Sequence, residues 1–316
     1  MNEKRNDKKR WTEKEIGSQV GKNIVVTGTG GLGYEAAISL AGAGATVIIA
    51  GRNVDKGKSA VQSIKNKYPH AKIDFQRIDL ADLSSIENFG KVLASKIKKL
   101  DILINNAGVM ATPDRRVTKD NFELQLGTNY LGHFALTAHL LPLLRKAQNA
   151  RVVTVSSMAH RSGKIHFDDL QLEHHYNPDV AYSQSKLACL LFAFELHKRS
   201  IASNWGITSI GVHPGGVATE LIENGPGKTF YTRLIYHTLQ MPSQGVRASL
   251  LAATSPEVRS GAFYGPTKLM EIYGYPKLVK PAKQALDANV SAKLWELSCQ
   301  LVHVDLKEKY TSGKRK

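Results

Sequence analysis

Cysteine is scarce in this chain. Only Cys189 and Cys299 occur among 316 residues. Neither has the spacing of a metal ligand, and no disulfide framework is expected. A reducing compartment fits that usage. Long apolar runs are missing too. No stretch reaches the roughly 18 consecutive apolar residues that mark a membrane-spanning helix. The richest run, Ala188 to Leu196, suits a buried helix face. The basic N-terminus leads into no apolar signal core, so no secretory leader is expected. Acidic residues are outnumbered, 27 against 43 Lys and Arg, for a net charge of +16. Part of that surplus lies at the ends, at Lys4, Arg5, Lys8, Lys9 and Arg10 and at Lys307, Lys309, Lys314, Arg315 and Lys316. Basic tails can contact nucleic acid or anionic lipid, and the blander reading, preferred here, is a solvated tail. No motif that reads DNA or RNA lies between them. The expectation is a cytoplasmic protein with no nucleic-acid partner and no transmembrane segment.

No low-complexity linker and no internal repeat interrupts the chain. With 42% hydrophobic residues it can build one large core. A single domain over 21–304 is expected, between a polar tail (1–20) and a basic tail (305–316). Short apolar runs alternate with helical patterns. Strands are expected at Lys22–Thr27, Thr46–Ala50, Lys72–Arg77, Asp101–Ile104, Arg151–Val155 and Ile207–Val212, with a last edge strand at Gly261–Gly265. Helices are expected at Leu32–Ala43, Val54–Lys67, Leu83–Lys98, Phe122–Lys146, Val180–Ser203, Ser243–Thr254 and Ala282–Val302. This alternation implies an α/β Rossmann fold, a doubly wound parallel sheet that binds ligands beyond the carboxyl ends of its strands.

The residues at those strand ends are small, polar or glycine. Gly28-Thr29-Gly30-Gly31-Leu32-Gly33 joins the first strand to the first helix. Glycines there let backbone approach a pyrophosphate, and the helix start offers N–H groups and partial positive charge. The second strand ends in Gly51-Arg52-Asn53, with no acid to bind ribose hydroxyls. A guanidinium at that point suits a 2′-phosphate, which favours NADP(H) over NAD(H). Asp79-Leu80 ends the third strand. Asn105-Asn106-Ala107-Gly108 follows the fourth, where the asparagines either tie strand ends together or touch cofactor.

Tyrosine and lysine four apart share one side of a helix, and an ammonium there favours the ionised phenol. The chain holds five such pairs, starting at Tyr68, Tyr182, Tyr264, Tyr273 and Tyr310. Only Tyr182 opens a sustained helical run, after a strand closing in Ser156-Ser157. Proline, glycine or the basic tail flanks the others.

Thr27-Gly28 with the glycines to Gly33, Asn105 to Gly108, Asn129, Ser157, Tyr182 with Lys186, and Pro214-Gly215 occur in that order. The set resembles the short-chain dehydrogenase/reductase family from about Gly21 to Val304. Gly51-Arg52-Asn53, Val155 to His160 and Asp168-Asp169-Leu170 resemble its retinol-dehydrogenase-like branch. The resemblance implies that Tyr182 is the general acid/base and that Lys186 binds the nicotinamide ribose. Ser157 would bond the substrate oxygen, with Ser156 structural, and Asn129 would hold a water in the proton path. Gly28, Gly31, Leu32 and Gly33 would line the pyrophosphate site, and Asp79 and Leu80 would flank adenine. Asn106, Ala107 and Gly108 would pass its ribose, while Pro214, Gly215, Val217 and Thr219 would meet the nicotinamide end. The glycine loop is one residue shorter than the family's usual Thr-Gly-x-x-x-Gly-x-Gly.

The expected reaction is hydride transfer between NADP(H) and an alcohol/carbonyl pair. A lipophilic substrate is expected from the aromatic 220–240 segment, read as a cleft cover or as a packed surface excursion. Two alternatives stay open, a non-catalytic dinucleotide-binding sensor and an epimerase or dehydratase on the same fold. Related proteins often pair through long central helices, so a homo-oligomer is possible. His174, His175 and His213 lack zinc-site spacing and read as packing or solvated residues, with no metal expected.

Overall fold

A computed structural model describes residues 10–110, 112–218 and 239–306 of the chain. The β-branched runs become its inner strands. β1 (Asn23–Thr27), β2 (Thr46–Gly51), β4 (Ile102–Asn105), β5 (Ala150–Val155) and β6 (Ile207–Val212) are buried almost throughout. Parallel strands covered by helices on both faces must be apolar in this way. β3 (Lys72–Arg77) is an edge strand and exposes part of its length. With β7 (Phe263–Lys268) and β8 (Tyr273–Leu278) the sheet order is β3-β2-β1-β4-β5-β6-β7-β8. Every neighbouring pair is parallel except β7 with β8. The expected doubly wound α/β sheet is therefore the one observed. Chain direction across the sheet reverses between β1 and β4, which opens a crevice at their carboxyl ends.

Helices α1 (Gly31–Gly42), α2 (Val54–Lys67) and α3 (Leu83–Lys96) connect the first four strands. Asn53 and Asp82 cap α2 and α3 by accepting backbone N–H bonds. The long helix expected from Phe122 is interrupted. Asn121 takes a left-handed φ of 64°, and the buried Glu123 carboxylate caps α4 (Leu124–Leu126). Gly127–Leu131 then forms a π-helical turn before α5 (Gly132–Leu144). Such turns widen a helix locally and often sit at functional sites. α6 (Pro178–Ala202) starts on an Asn177 cap and a first-turn proline.

Farther along, the expected Ser243–Thr254 helix is two pieces, α7 (Pro242–Gly245) and α8 (Arg247–Thr254). The expected Ala282–Val302 helix opens with a 3-10 turn, Lys283–Leu286. An Asp287 cap then starts α9 (Ala288–Leu301). α9 lays Trp295 against Phe134 of α5 and Phe192 of α6, at ring separations of 4.9 and 5.9 Å. The strand at Phe263 is not the edge. β8 lies outside it, in a stretch whose Gly274 and Pro276 read as breakers, and an edge strand tolerates such a proline. Residues before 20 are not loose throughout. Trp11 is buried in the core, and Glu13 pairs with Arg247 of α8 at 3.2 Å. Most of the 220–240 segment lies outside the described residues. No helix among the described residues is long and apolar enough to cross a membrane.

Candidate active site

The end of β1 starts the site. Gly28 turns the chain with φ 100° and Gly31 enters α1 with φ 50°, values open mainly to glycine. Gly33 packs α1 against that turn, and a Cβ built on it would meet Gly28 O at 2.2 Å. α1 begins on Gly30 with no side-chain cap and no acid in its first turn. Its first N–H groups and positive pole are left for an anion. The shorter loop thus still forms a cradle, at one end of a cleft of about 520 Å³.

Gly28, Gly31 and Leu32 line this cleft, but Gly33 lies behind it. Arg52 is exposed at its outer end beside Asn53 and Lys56, with no ion pair to a described residue. Asp79 and Leu80 form a wall. The Asp79 carboxylate accepts from Ala81 N at 3.0 Å, and Asp79 N donates to Ser85 Oγ at 2.9 Å. Asn106, Ala107 and Gly108 cross the floor. Asn106 Nδ2 donates to Thr27 O at 2.8 Å, while the N–H groups of Asn106 and Ala107 donate to Thr27 Oγ1 at 2.9 and 3.0 Å. Asn105 Nδ2 donates to Thr137 Oγ1. Both asparagine side chains tie elements together, and backbone is what the turn offers to the cleft.

Ser157, at the end of β5, and Tyr182 and Lys186, on α6, line the same cleft. Lys186 is buried, with Nζ 5.8 Å from the centre of the Tyr182 ring and donating to Val155 O at 3.2 Å. Ser156 Oγ donates to the Lys186 carbonyl at 2.7 Å, fixing α6 on the end of β5. Ser157 Oγ accepts from Ala159 N at 3.2 Å, which uses a lone pair of the hydroxyl and not its hydrogen. The described rival tyrosine-lysine pairs do not lie within one helix. Tyr68 ends α2, Tyr264 and Tyr273 lie on β7 and β8, and Tyr310 is outside the described residues.

Asn129 stands behind the cleft wall and is 1% exposed. Its Oδ1 accepts from Val109 N at 2.7 Å, and its Nδ2 donates to Val109 O and Ser185 Oγ, both at 2.9 Å. Both amide hydrogens and one Oδ1 lone pair are used, so the side chain braces the loop after β4 against α6. Pro214, Gly215 (φ 78°) and Val217 close the far end, with Gln240 Nε2 donating to Pro214 O. Thr219 lies outside the described residues.

His213 is fully buried against Phe263, and burial pushes its pKa down to about 3. Its Nε2 comes within 3.0 Å of Glu271 Oε2 without a hydrogen bond, a close approach of a neutral ring rather than an ion pair. His174 and His175 are exposed. The Thr27 hydroxyl and Ser185 were not singled out from sequence. Their partners lie 79 and 56 residues away, beyond any local pattern.

A family model described as short chain dehydrogenase matches residues 22–226. Retinol dehydrogenase 11 of Homo sapiens is 38% identical over 285 residues, covering 89% of this chain and 86% of that protein. Polyprenol dehydrogenase of Danio rerio is 37% identical over 299 residues, covering 91% and 89%. A crystal structure from Mycobacterium Paratuberculosis superposes with a TM-score of 0.78 at 37% identity, covering 95% of this chain and 100% of that one. A short chain dehydrogenase from Escherichia coli CFT073 complexed with NADPH shares the fold, with a TM-score of 0.61 at 23% identity, over 77% and 95% of the two chains. The chain belongs to the short-chain dehydrogenase/reductase family, in its retinol-dehydrogenase-like branch, and is an NAD(P)-dependent oxidoreductase acting on CH–OH groups.

Proposed function

We propose that this protein transfers hydride between NADP(H) and a lipophilic alcohol/carbonyl pair, with Tyr182 as the acid/base. The observation that carries the reading is one cleft lined both by Arg52, after β2, and by Ser157, Tyr182 and Lys186, three strands along the sheet. Bound in that cleft, the dinucleotide supplies or accepts the hydride. The glycine cradle and the α1 N-terminus fit its pyrophosphate, and Arg52 with neighbouring Lys56 fits a 2′-phosphate.

In the reducing direction Tyr182 gives its phenolic proton to the substrate oxygen, and in the oxidising direction it takes that proton back. Its hydroxyl makes no side-chain hydrogen bond to a described residue, and the half-buried ring lines the cleft, so it is available for that transfer. Lys186 sets its ammonium 5.8 Å from the centre of the Tyr182 ring, on the same face of α6. Its tether to Val155 O keeps the ammonium in place without neutralising it. Ser157 donates its hydroxyl hydrogen to the substrate oxygen, where charge develops. Asn129 holds the loop after β4 against α6. Met110 and Val217 contribute apolar wall. Relatives named for retinol and polyprenol, both lipophilic alcohols, support the substrate class.

Tyr182→Phe tests the assignment. Turnover of a lipophilic aldehyde with NADPH is expected to fall at least about 100-fold. NADPH binding, read by fluorescence titration, is expected to stay within about threefold. Turnover that survives the substitution overturns Tyr182 as acid/base, and an aldehyde and alcohol panel run with NADPH and NADH tests substrate class and cofactor together.

A further inference from the structure

Beneath the cleft floor, a buried chain of hydrogen bonds links β1, the turn after β4, the π-helical turn and α6. His133 of α5 stands at its centre and is 3% exposed. Its Nδ1 lies 2.9 Å from Asn129 O, and its Nε2 lies 2.9 Å from Thr27 Oγ1. The same Asn129 carbonyl accepts from Cys189 Sγ of α6 at 3.2 Å. Thr27 Oγ1 also receives the N–H groups of Asn106 and Ala107, and it approaches Ile104 O at 3.3 Å.

Donor and acceptor counting settles which hydrogen goes where. A carbonyl oxygen only accepts, so the hydrogen that meets Asn129 O sits on Nδ1. Full burial disfavours the imidazolium, so Nε2 carries a lone pair. The Thr27 hydroxyl has one hydrogen and two acceptor positions. It must give that hydrogen to Nε2, and its two lone pairs then take Asn106 N and Ala107 N. Every group in the chain is satisfied, and the approach to Ile104 O is left without a hydrogen. The opposite tautomer would set a bare Nδ1 against a carbonyl oxygen.

We infer that His133, with its hydrogen on Nδ1, is a positioning residue for dinucleotide binding. It aims the Thr27 hydroxyl, which in turn fixes the Asn106–Gly108 turn on the cleft floor, and it braces the carbonyl of Asn129 with its other nitrogen. The role rests on the proposed use of the cleft for NADP(H). It places no part of His133 against the reacting atoms. Without His133, the Thr27 hydrogen can swing to Ile104 O and the paired N–H acceptors lose their direction.

In His133→Asn the side-chain nitrogen keeps the place of Nδ1 while the partner of Thr27 is gone. In His133→Gln the amide oxygen can reach the place of Nε2 and accept from Thr27. The NADPH Kd, measured by fluorescence titration, is expected to rise about tenfold in His133→Asn, with kcat at saturating NADPH within about threefold. His133→Gln is expected to recover most of the affinity. Thr27→Val, which also strips the acceptor of Asn106 N and Ala107 N, should lose at least as much affinity as His133→Asn, and the double variant should bind no worse than Thr27→Val alone. An unchanged Kd, or additive losses in folded variants, overturns the inference. Imidazole ¹⁵N–¹H correlation in the unsubstituted protein decides the hydrogen placement even if a variant does not fold. Hydrogen on Nδ1 with a bare Nε2 is expected, and the reverse overturns it. Kd is read without turnover, so a failure of the Tyr182 assignment leaves this result standing. If the unsubstituted protein does not bind NADPH, the cofactor reading and this role fall together.

Discussion

Gly33→Ala probes the shortened glycine loop at its tightest point. An added Cβ would lie 2.2 Å from Gly28 O, 2.8 Å from Gly28 C and 2.9 Å from Asn106 Nδ2. The first two obstacles are backbone and cannot rotate away. Asn106 is held as well, because its Nδ2 donates to Thr27 O. Relief therefore needs α1 to withdraw, or the Gly28–Gly31 turn to move, by on the order of 1 Å. Overpacking of this kind costs about 1–3 kcal/mol. If the strain falls on the loop, NADPH binding weakens by about 5–150-fold, since 1.4 kcal/mol is a factor of ten. If it falls on the helix, stability drops, and for a chain of this size the melting point falls by about 2–5 °C. Gly17→Ala is the control, because a Cβ there meets nothing within 4 Å. The assays are NADPH titration and thermal melting of the two variants beside the parent. A Gly33→Ala protein with parental affinity and parental melting point would refute this account of the loop.

Arg52→Ala should raise the NADPH Kd by about tenfold or more and leave the NADH Kd within about threefold, as loss of a charge-assisted phosphate contact does. An equal change for both cofactors would remove Arg52 from the 2′-phosphate. Trp295→Ala should cost about 3–5 kcal/mol in urea unfolding, because the indole fills the gap between Phe134 and Phe192 and carries Arg199 on its face at 4.8 Å. Trp295→Phe should cost far less, since it keeps the stacking and removes an indole N–H that is buried without a partner. Burial also holds His133 and His213 neutral, with pKa values pushed down to about 4 and about 3. The unfolded chain binds protons at both below about pH 6.5, so the stability they permit is full above that pH and is lost as pH falls. By pH 5 the loss is on the order of 2 kcal/mol for each, and urea midpoints that stay level from pH 7.5 to 5 would contradict it.

The sheet was legible because its signals are local. A β-branched run of five or six residues between helical patterns admits few arrangements, and β1, β2, β4, β5 and β6 lie within a residue of their expected bounds, while β3 stops at Arg77, short of Asp79-Leu80. The cleft-lining residues were legible for a related reason. They cluster at strand ends, where glycine and small polar residues interrupt apolar runs. The Tyr182 pair was sorted from four look-alikes by its flanks, and the fold puts the described look-alikes at a helix end or on strands. β8 was missed because Gly274 and Pro276 speak locally against a strand. Its pairing with β7 is a tertiary decision made at an open edge.

From sequence alone came the fold class, the family resemblance and the residue types that face the cleft, because apolar periodicity and strand-end chemistry are written within a few neighbours. Tertiary structure alone decided the π-helical turn at Asn129, the burial of Gly33 behind the loop, the bracing bonds of the Asn129 amide and the His133 bridge to Thr27. Those depend on which donor meets which acceptor across segments 20 to 106 residues apart, and only the packed sheet brings such groups within 3 Å.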